Sequence, residues 1–228
     1  MSQQFNVLLI NDCTESYYNG LLKGIAQYAN AHSNWTFCQI YLTEKTHSSI
    51  EEIIHWAKKW NVTGIIASLT NKTEIQYLIN TQIPVIIQNE NEYCTEMPTI
   101  TGAYYKTGIM AAEYFLKKGY REFAYYGSSN LKSSCKQREG FETRIHKAGH
   151  KIHWQDVDCT QPERWYYKSS FLSKWLQSLP KPIAILAQND YLGQHLIEAC
   201  KISNIFIPEE VAIMGINNNE THCMLTQP

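Results

Sequence analysis

Ser16 and Tyr17 follow the first short apolar run of the chain, Ser68 and Asn71 the third, and Gln88 and Asn89 the fourth. Asn189-Asp190 and Asn217-Asn218 stand in the same relation to later runs. Amides, hydroxyls and phenols are the groups that hold a neutral polyhydroxylated molecule. An amide both donates and accepts, and a guanidinium such as that of Arg138 grips two oxygens at once. Each of these residues taken singly is an ordinary helix cap or turn residue. Their joint position carries the meaning, because doubly wound sheets hold ligands at the carboxyl ends of their strands. Two lobes offering such edges to one polar cleft suit the binding of a sugar, with Tyr or Trp covering its apolar face, better than its turnover.

Reactive alternatives lack their parts. Asn11-Asp12-Cys13-Thr14-Glu15-Ser16 after the first run has no glycine to let a pyrophosphate approach the backbone, and no P-loop or Gly-x-Ser-x-Gly elbow occurs. No cofactor is expected. His146, His150 and His153 cluster, but Gly149 ends their helix and no Glu stands between them as in a metalloprotease, so solvated histidines are expected and no metal site. A phospho-receiver would need Asp where Ser68 stands. A glycoside hydrolase would need two carboxylates about 5 to 9.5 Å apart across the sugar. Asp156 and Asp158 read more simply as solvated strand ends and Asp190 as a helix cap, so no catalytic residue is expected.

The elements that would position the polar set alternate between periods of two and 3.6. Strands are expected at Phe5 to Ile10, Trp35 to Tyr41, Val62 to Ser68 and Val85 to Ile87. Between them lie a helix with the stripe Tyr18, Leu21, Leu22, Ile25 and Ala29, a second opened by a capping box at Ser48-Ser49-Ile50-Glu51, and a third over Asn71 to Asn80. After polar Asn89 to Pro98, a helix from Tyr105 to Gly119 begins a second series. Its strands are Glu122 to Tyr126, Ile152 to Val157, Ile183 to Ala187 and Val211 to Ile216, and its helices Arg138 to Ala148, Tyr166 to Gln177 and Tyr191 to Ile202. The expectation is an α/β fold of two Rossmann-like lobes of parallel sheet flanked by helices, with residues 1–98 the first lobe, 99–104 the crossover and 105–228 the second. The first-lobe stripe with Leu21, Ile25 and Ile53 is either core or a dimer face.

Composition narrows the class. The 228 residues include 20 Lys+Arg against 21 Asp+Glu, a formal net charge of −1, without the basic excess of a chain that wraps nucleic acid. Hydrophobic residues at 44% and charged residues at 18%, against about 25% in ordinary soluble proteins, imply a large core. Val7 to Ile10 is too short for a secretory signal, and no run approaches the ~20 apolar residues of a membrane span. Cytoplasmic location and no membrane partner are expected. The cysteines at 13, 38, 94, 135, 159, 200 and 223 are scattered without a close pair, which predicts reduced, mostly buried thiols.

Several stretches resemble a known family. Tyr18-Asn19-Gly20-Leu21-Leu22-Lys23-Gly24-Ile25, Gly64-Ile65-Ile66-Ala67, Ile83-Pro84-Val85 and Ala111-Ala112-Glu113-Tyr114-Phe115-Leu116 resemble the effector domain of lactose-repressor-type regulators, within the periplasmic-binding-protein-like (type I) superfamily. Arg138-Glu139-Gly140-Phe141 is similar to that family's Arg-x-x-Gly-Phe. Trp175 to Pro182, Leu186-Ala187-Gln188-Asn189-Asp190 and Ile207 to Asn218 resemble the xylose operon regulators, which join such a sensor to C-terminal arabinose-regulator-type helix-turn-helix units.

The resemblance implies a transcription regulator that senses a small sugar, xylose or a related pentose, in an inter-lobe cleft. Closure would be passed to DNA-binding units, in a homodimer. DNA would be met only through a C-terminal domain that is not in this chain, which reads as the greater part of a sensor cut before its return segment. Arg138 looks like the sugar-clamping arginine and Asn189 and Asp190 like the second-lobe polar pair. Asn217 and Thr101 stand where relatives often carry Asp, so a charged acceptor is replaced by a neutral one at each. The alternative is an exported solute-binding protein of a sugar transporter, which would need a signal and oxidation-tolerant cysteines.

Overall fold

The computed structural model describes residues 4–11, 16–32, 34–42, 49–69, 71–88, 97–157 and 165–226. The chain divides into two compact units, Met1–Gly102 and Ala103–Pro228. The first runs β1 (Phe5–Asn11), α1 (Ser16–His32), β2 (Trp35–Tyr41), α2 (Ile50–Lys59), β3 (Gly64–Ser68), α3 (Lys72–Ile79), β4 (Val85–Gln88) and β5 (Thr99–Ile100). Its sheet is parallel throughout, in the order β2-β1-β3-β4-β5.

Alternate residues of these strands build the first core. Leu8 and Ile10 stand beside Ile65 and Ala67, which stand beside Val85 and Ile87, and Ile53, Ile54, Ile75 and Leu78 of α2 and α3 cover that face. Helix α2 forms because Ile50, Ile53, Ile54 and Ala57 fall on one side of a 3.6-residue period and are all buried. Each isoleucine so buried contributes about 1.5 to 3 kcal/mol. Acidic Glu51 and Glu52 in its first turn and Lys58 and Lys59 in its last complement the helix dipole. The capping box lies one residue later than expected. Ser49 Oγ accepts the Glu52 N–H at 3.3 Å and Glu52 Oε2 accepts the Ser49 N–H at 3.2 Å. Ser49 takes the cap because Ile50 must already be helical to reach the core.

The opposite face of this sheet carries α1 alone among the described helices. Gly20 and Gly24 meet nothing within 4 Å on that side, and Leu21, Ile25, Tyr28, Trp35 and Ile66 line an open hollow of about 390 Å³. Ile53 is core, 4% exposed, and cannot serve a dimer face, whereas Leu21 and Ile25 are half-buried.

The second unit runs α4 (Tyr104–Lys117), β6 (Glu122–Gly127), α5 (Lys132–Lys147), β7 (Ile152–Asp156), α6 (Trp165–Ser178), β8 (Ile183–Ala187), α7 (Asp190–Ile202), β9 (Val211–Met214) and α8 (Glu220–Leu225). Its parallel sheet has the order β7-β6-β8-β9. Every residue of β8 is buried, as a strand covered on both faces requires. One face packs Ala124, Tyr126, Ile183 and Ile185 against Leu176, Leu192 and Leu196, the other packs Phe123, Tyr125, Ala184 and Leu186 against Phe115, Phe141 and Ile145.

Several expectations are corrected. Helix α5 starts at Lys132, not Arg138, because Ser133, Ser134 and Gln137 are polar yet buried and hide the apolar period. Strand β9 stops at Met214, not Ile216, because Asn217 (φ 92°) and Asn218 (φ 51°) turn the chain in the left-handed region. Strand β5 and helix α8 were not expected at all. Of the cysteines at 38, 135, 200 and 223, only Cys200 is buried; Cys38 and Cys135 are intermediate and Cys223 is exposed.

Candidate functional site

All strands of each sheet are parallel, so their carboxyl ends share one edge, and most of the polar residues singled out in the sequence lie on it. In the first unit Asn11 is fully buried at the end of β1, and Ser68 and Gln88, both 6% exposed, end β3 and β4. Ser68 Oγ donates to Gln88 Oε1, so these two groups satisfy each other across neighbouring strands. Asn71 caps α3, its Oδ1 accepting the Thr73 N–H at 2.8 Å, and is exposed, as is Thr101 beyond β5. Ser16 and Tyr17 open α1. Asn89 lies outside the described residues, as do Asp158 and Ser48.

In the second unit the loop after β6 is pinned on both sides. The Ser128 N–H donates to Gln188 Oε1 at 2.8 Å, and Ser129 gives its N–H and hydroxyl to the two Asp156 oxygens at 2.7 and 2.9 Å. Asp156 is thus a structural acceptor. Asn189, not Asp190, caps α7, its Oδ1 accepting the Leu192 N–H at 2.9 Å. Asp190 is the first helical residue. Its N–H donates to the Ile216 carbonyl at 3.1 Å and its Oδ2 accepts the Asn219 N–H at 2.6 Å. Burial raises the Asp190 carboxyl above its ordinary 3.8, opposed by the Asn219 N–H and by His222. Asn189, Asp190 and Asn217 therefore gather around the ends of β8 and β9, and the Asn217 side chain is exposed.

Arg138 is placed elsewhere. Its guanidinium lies over the Trp154 indole, 4.2 Å from the ring centroid, beside edge strand β7. Strands β6 and β8 separate β7 from β9, about 14 Å at the usual strand spacing. The match to Arg-x-x-Gly-Phe also needs correction. Arg138 stands two residues before Gly140, and the residue three before it is Gln137. Gln137 is buried, and its Oε1 accepts the Tyr125 hydroxyl at 3.2 Å, within a network that includes Ser134 Oγ at 2.9 Å.

Sequence reasoning missed the groups behind α7. Gln194 Nε2 donates to Glu198 at 3.0 Å, which turns the Gln194 carbonyl oxygen toward His222 Nδ1, 3.0 Å away, so that nitrogen carries the proton. Tyr191 meets His195 and His222 edge-on, with centroids 4.3 and 5.6 Å apart. Tyr191 and His195 stand four residues apart on α7, the one legible signal. The three histidines clustered in the sequence do not converge: His146 pairs with Glu142 at 3.7 Å, His150 packs on Phe123 and His153 is exposed on β7. Among the described residues no group of His, Cys, Asp or Glu is arranged to hold a metal ion, and no helix is long and apolar enough to cross a membrane.

Similar proteins share this architecture. The xylose operon regulatory proteins of Haemophilus influenzae and Escherichia coli are each 25% identical over 96% of this chain. The chain spans only 57% and 56% of their lengths. A solved xylose-binding transcription activator superposes with a TM-score of 0.77 at 21% identity, covering 96% of this chain and 56% of that one. A periplasmic binding protein/LacI transcriptional regulator from Alkaliphilus metalliredigens, solved with D-xylulofuranose, gives 0.69 at 21%, covering 95% and 79%. At such identities these structures show the fold. The family described as the periplasmic binding protein-like domain matches residues 112–228, just over half the sequence, and the chain belongs to that family.

Proposed function

We propose that this chain is the ligand-sensing part of a bacterial transcriptional regulator and binds a small sugar, xylose or a related pentose. The observation that carries the reading is chemical. Each unit offers neutral amides and hydroxyls at the carboxyl edge of its sheet, while the carboxylates Asp156 and Asp190 are engaged by backbone N–H groups. Such a set binds hydroxyls, and among the described residues it offers no acid/base pair to cleave a glycoside. The relatives named for xylose support the choice of sugar. Asn71, Thr101, Asn189 and Asn217 are the amide and hydroxyl contacts, with Ser16, Tyr17 and Asn89 completing the first-lobe set. Ser68 and Gln88 orient that edge from within.

Arg138, stacked on Trp154 beside β7, supplies the cation from the other end of the second unit's sheet edge. The regulator works in the cytoplasm as a homodimer and meets DNA through a separate C-terminal unit. A ligand must favour one state by about 5.5 kcal/mol to move an equilibrium from 1:99 to 99:1, so several bonds to the sugar are needed.

Calorimetric titration with D-xylose, L-arabinose and D-glucose tests the reading. Saturable binding of a pentose by the unaltered protein is expected, with Arg138→Ala losing most of the affinity while circular dichroism stays unchanged. Absence of binding to every sugar overturns the function; unchanged affinity in Arg138→Ala removes that residue from the site.

A further inference from the structure

The Asn217–Asn218 turn is held from two sides by half-buried residues. Two successive non-glycine residues at φ 92° and 51° persist only where surrounding bonds fix them. On one side is Asp190, whose N–H reaches the Ile216 carbonyl just before the turn and whose Oδ2 accepts the Asn219 N–H just after it. Its other oxygen lies so near Gly215 that a Cβ there would collide with it. On the other side is α8, capped by Asn219 Oδ1 and tied to α7 through the chain Glu198, Gln194, His222.

We propose that Asp190, Gln194 and His222 are positioning residues: they fix the turn between β9 and α8 so that the Asn217 amide meets the sugar, and the Asp190 carboxylate does not itself bond the ligand. The proposal rests on the sugar-binding reading above. It separates Asp190 from a direct sugar acceptor, because a carboxylate committed to a backbone N–H behind the turn acts through that N–H.

The test pairs conservative and truncating variants in D-xylose titrations. Asp190→Asn keeps an oxygen for the Asn219 N–H and is expected to bind within about threefold of the parent, whereas Asp190→Ala loses about tenfold or more. His222→Asn presents an amide N–H near the place of Nδ1–H and retains affinity; His222→Leu weakens it to a similar degree as Asp190→Ala. Equal losses in Asp190→Asn and Asp190→Ala would make Asp190 a direct charged ligand and overturn the proposal, as would full affinity in Asp190→Ala and His222→Leu. Should Asp190→Ala fail to fold, the His222 pair decides. A parent protein that binds no pentose fails the sugar reading itself. The hold remains testable without ligand through hydrogen exchange at the Asn219 amide, expected fast in Asp190→Ala and slow in Asp190→Asn, with equal rates overturning it.

Discussion

Cys200 shows how far burial alone sets the chemistry of a side chain. It packs with Ile205 and Val211 in the second-unit core, and burial pushes its thiol up to about 11, with Lys181 opposing and Glu210 adding to the shift. The reactive thiolate is then scarce at neutral pH. Maleimide labelling followed by mass spectrometry is expected to leave Cys200 untouched in the folded protein and to modify it on unfolding, while exposed Cys223 reacts without unfolding. At this scale the sequence is a partial guide. It placed Ser68, Gln88, Asn189 and Asp190 at strand ends, because those follow apolar runs. It could not tell that Ser68 and Gln88 bond each other, or that Asp190 turns its carboxylate back to Asn219, since both partners are set by tertiary register.

At the scale of elements, α4 and α5 cross at two glycines. A Cβ on Gly108 would collide with the Gln137 carbonyl oxygen, and one on Gly140 with the Tyr105 carbonyl oxygen. Both obstacles are backbone and cannot rotate away. Gly140→Ala is expected to cost about 3 kcal/mol, the upper part of the range for overpacking. Gly108→Ala should cost a similar amount, and the double variant less than the sum because both force the same helices apart. Urea denaturation measures each. Helix α7 adds a pH dependence. His195 is 8% exposed, and burial holds its imidazole below the ordinary 6.5, with His222 lowering it further and Glu198 opposing. The folded state therefore binds fewer protons than the unfolded chain, so this contribution is complete above 6.5 and fades as pH falls through the lowered folded value. His195→Gln should flatten the acid side of the stability profile. Most elements were readable from their periods. The exceptions have a common cause: β5 is two residues long, α8 has no buried residue, and the first turns of α5 present serines and a glutamine to the interior. Hydrophobic period carries no signal for any of them.

Across the whole molecule, the two units differ in how completely their sheets are covered. Residues 103–228 fill both faces of a four-stranded sheet, one against Leu176, Leu192 and Leu196 and the other against Phe115 and Phe141. In residues 1–102 one face is well packed, but on the other α1 stands over a hollow, and Ile86 and Ile100 remain 38% and 43% exposed. Val7 and Leu9 are buried on that second face, but among the described residues it is the less filled of the two, and a sheet so covered has less apolar burial to set against the entropy of ordering its chain. A fragment of residues 103–228 is therefore expected to melt cooperatively, and a fragment of residues 1–102 to melt at lower temperature or without a sharp transition, as calorimetry would record. The same fragments weigh the two-lobe reading of the ligand site. In the intact chain a sugar at 100 times its dissociation constant adds about 2.7 kcal/mol of stability. If each lobe supplies part of the hydrogen bonding, the folded 103–228 fragment keeps Arg138, Asn189 and Asn217 yet loses most of that gain at the same sugar concentration. An undiminished gain in the fragment would confine the sugar to one lobe and remove the first-lobe amides from the site.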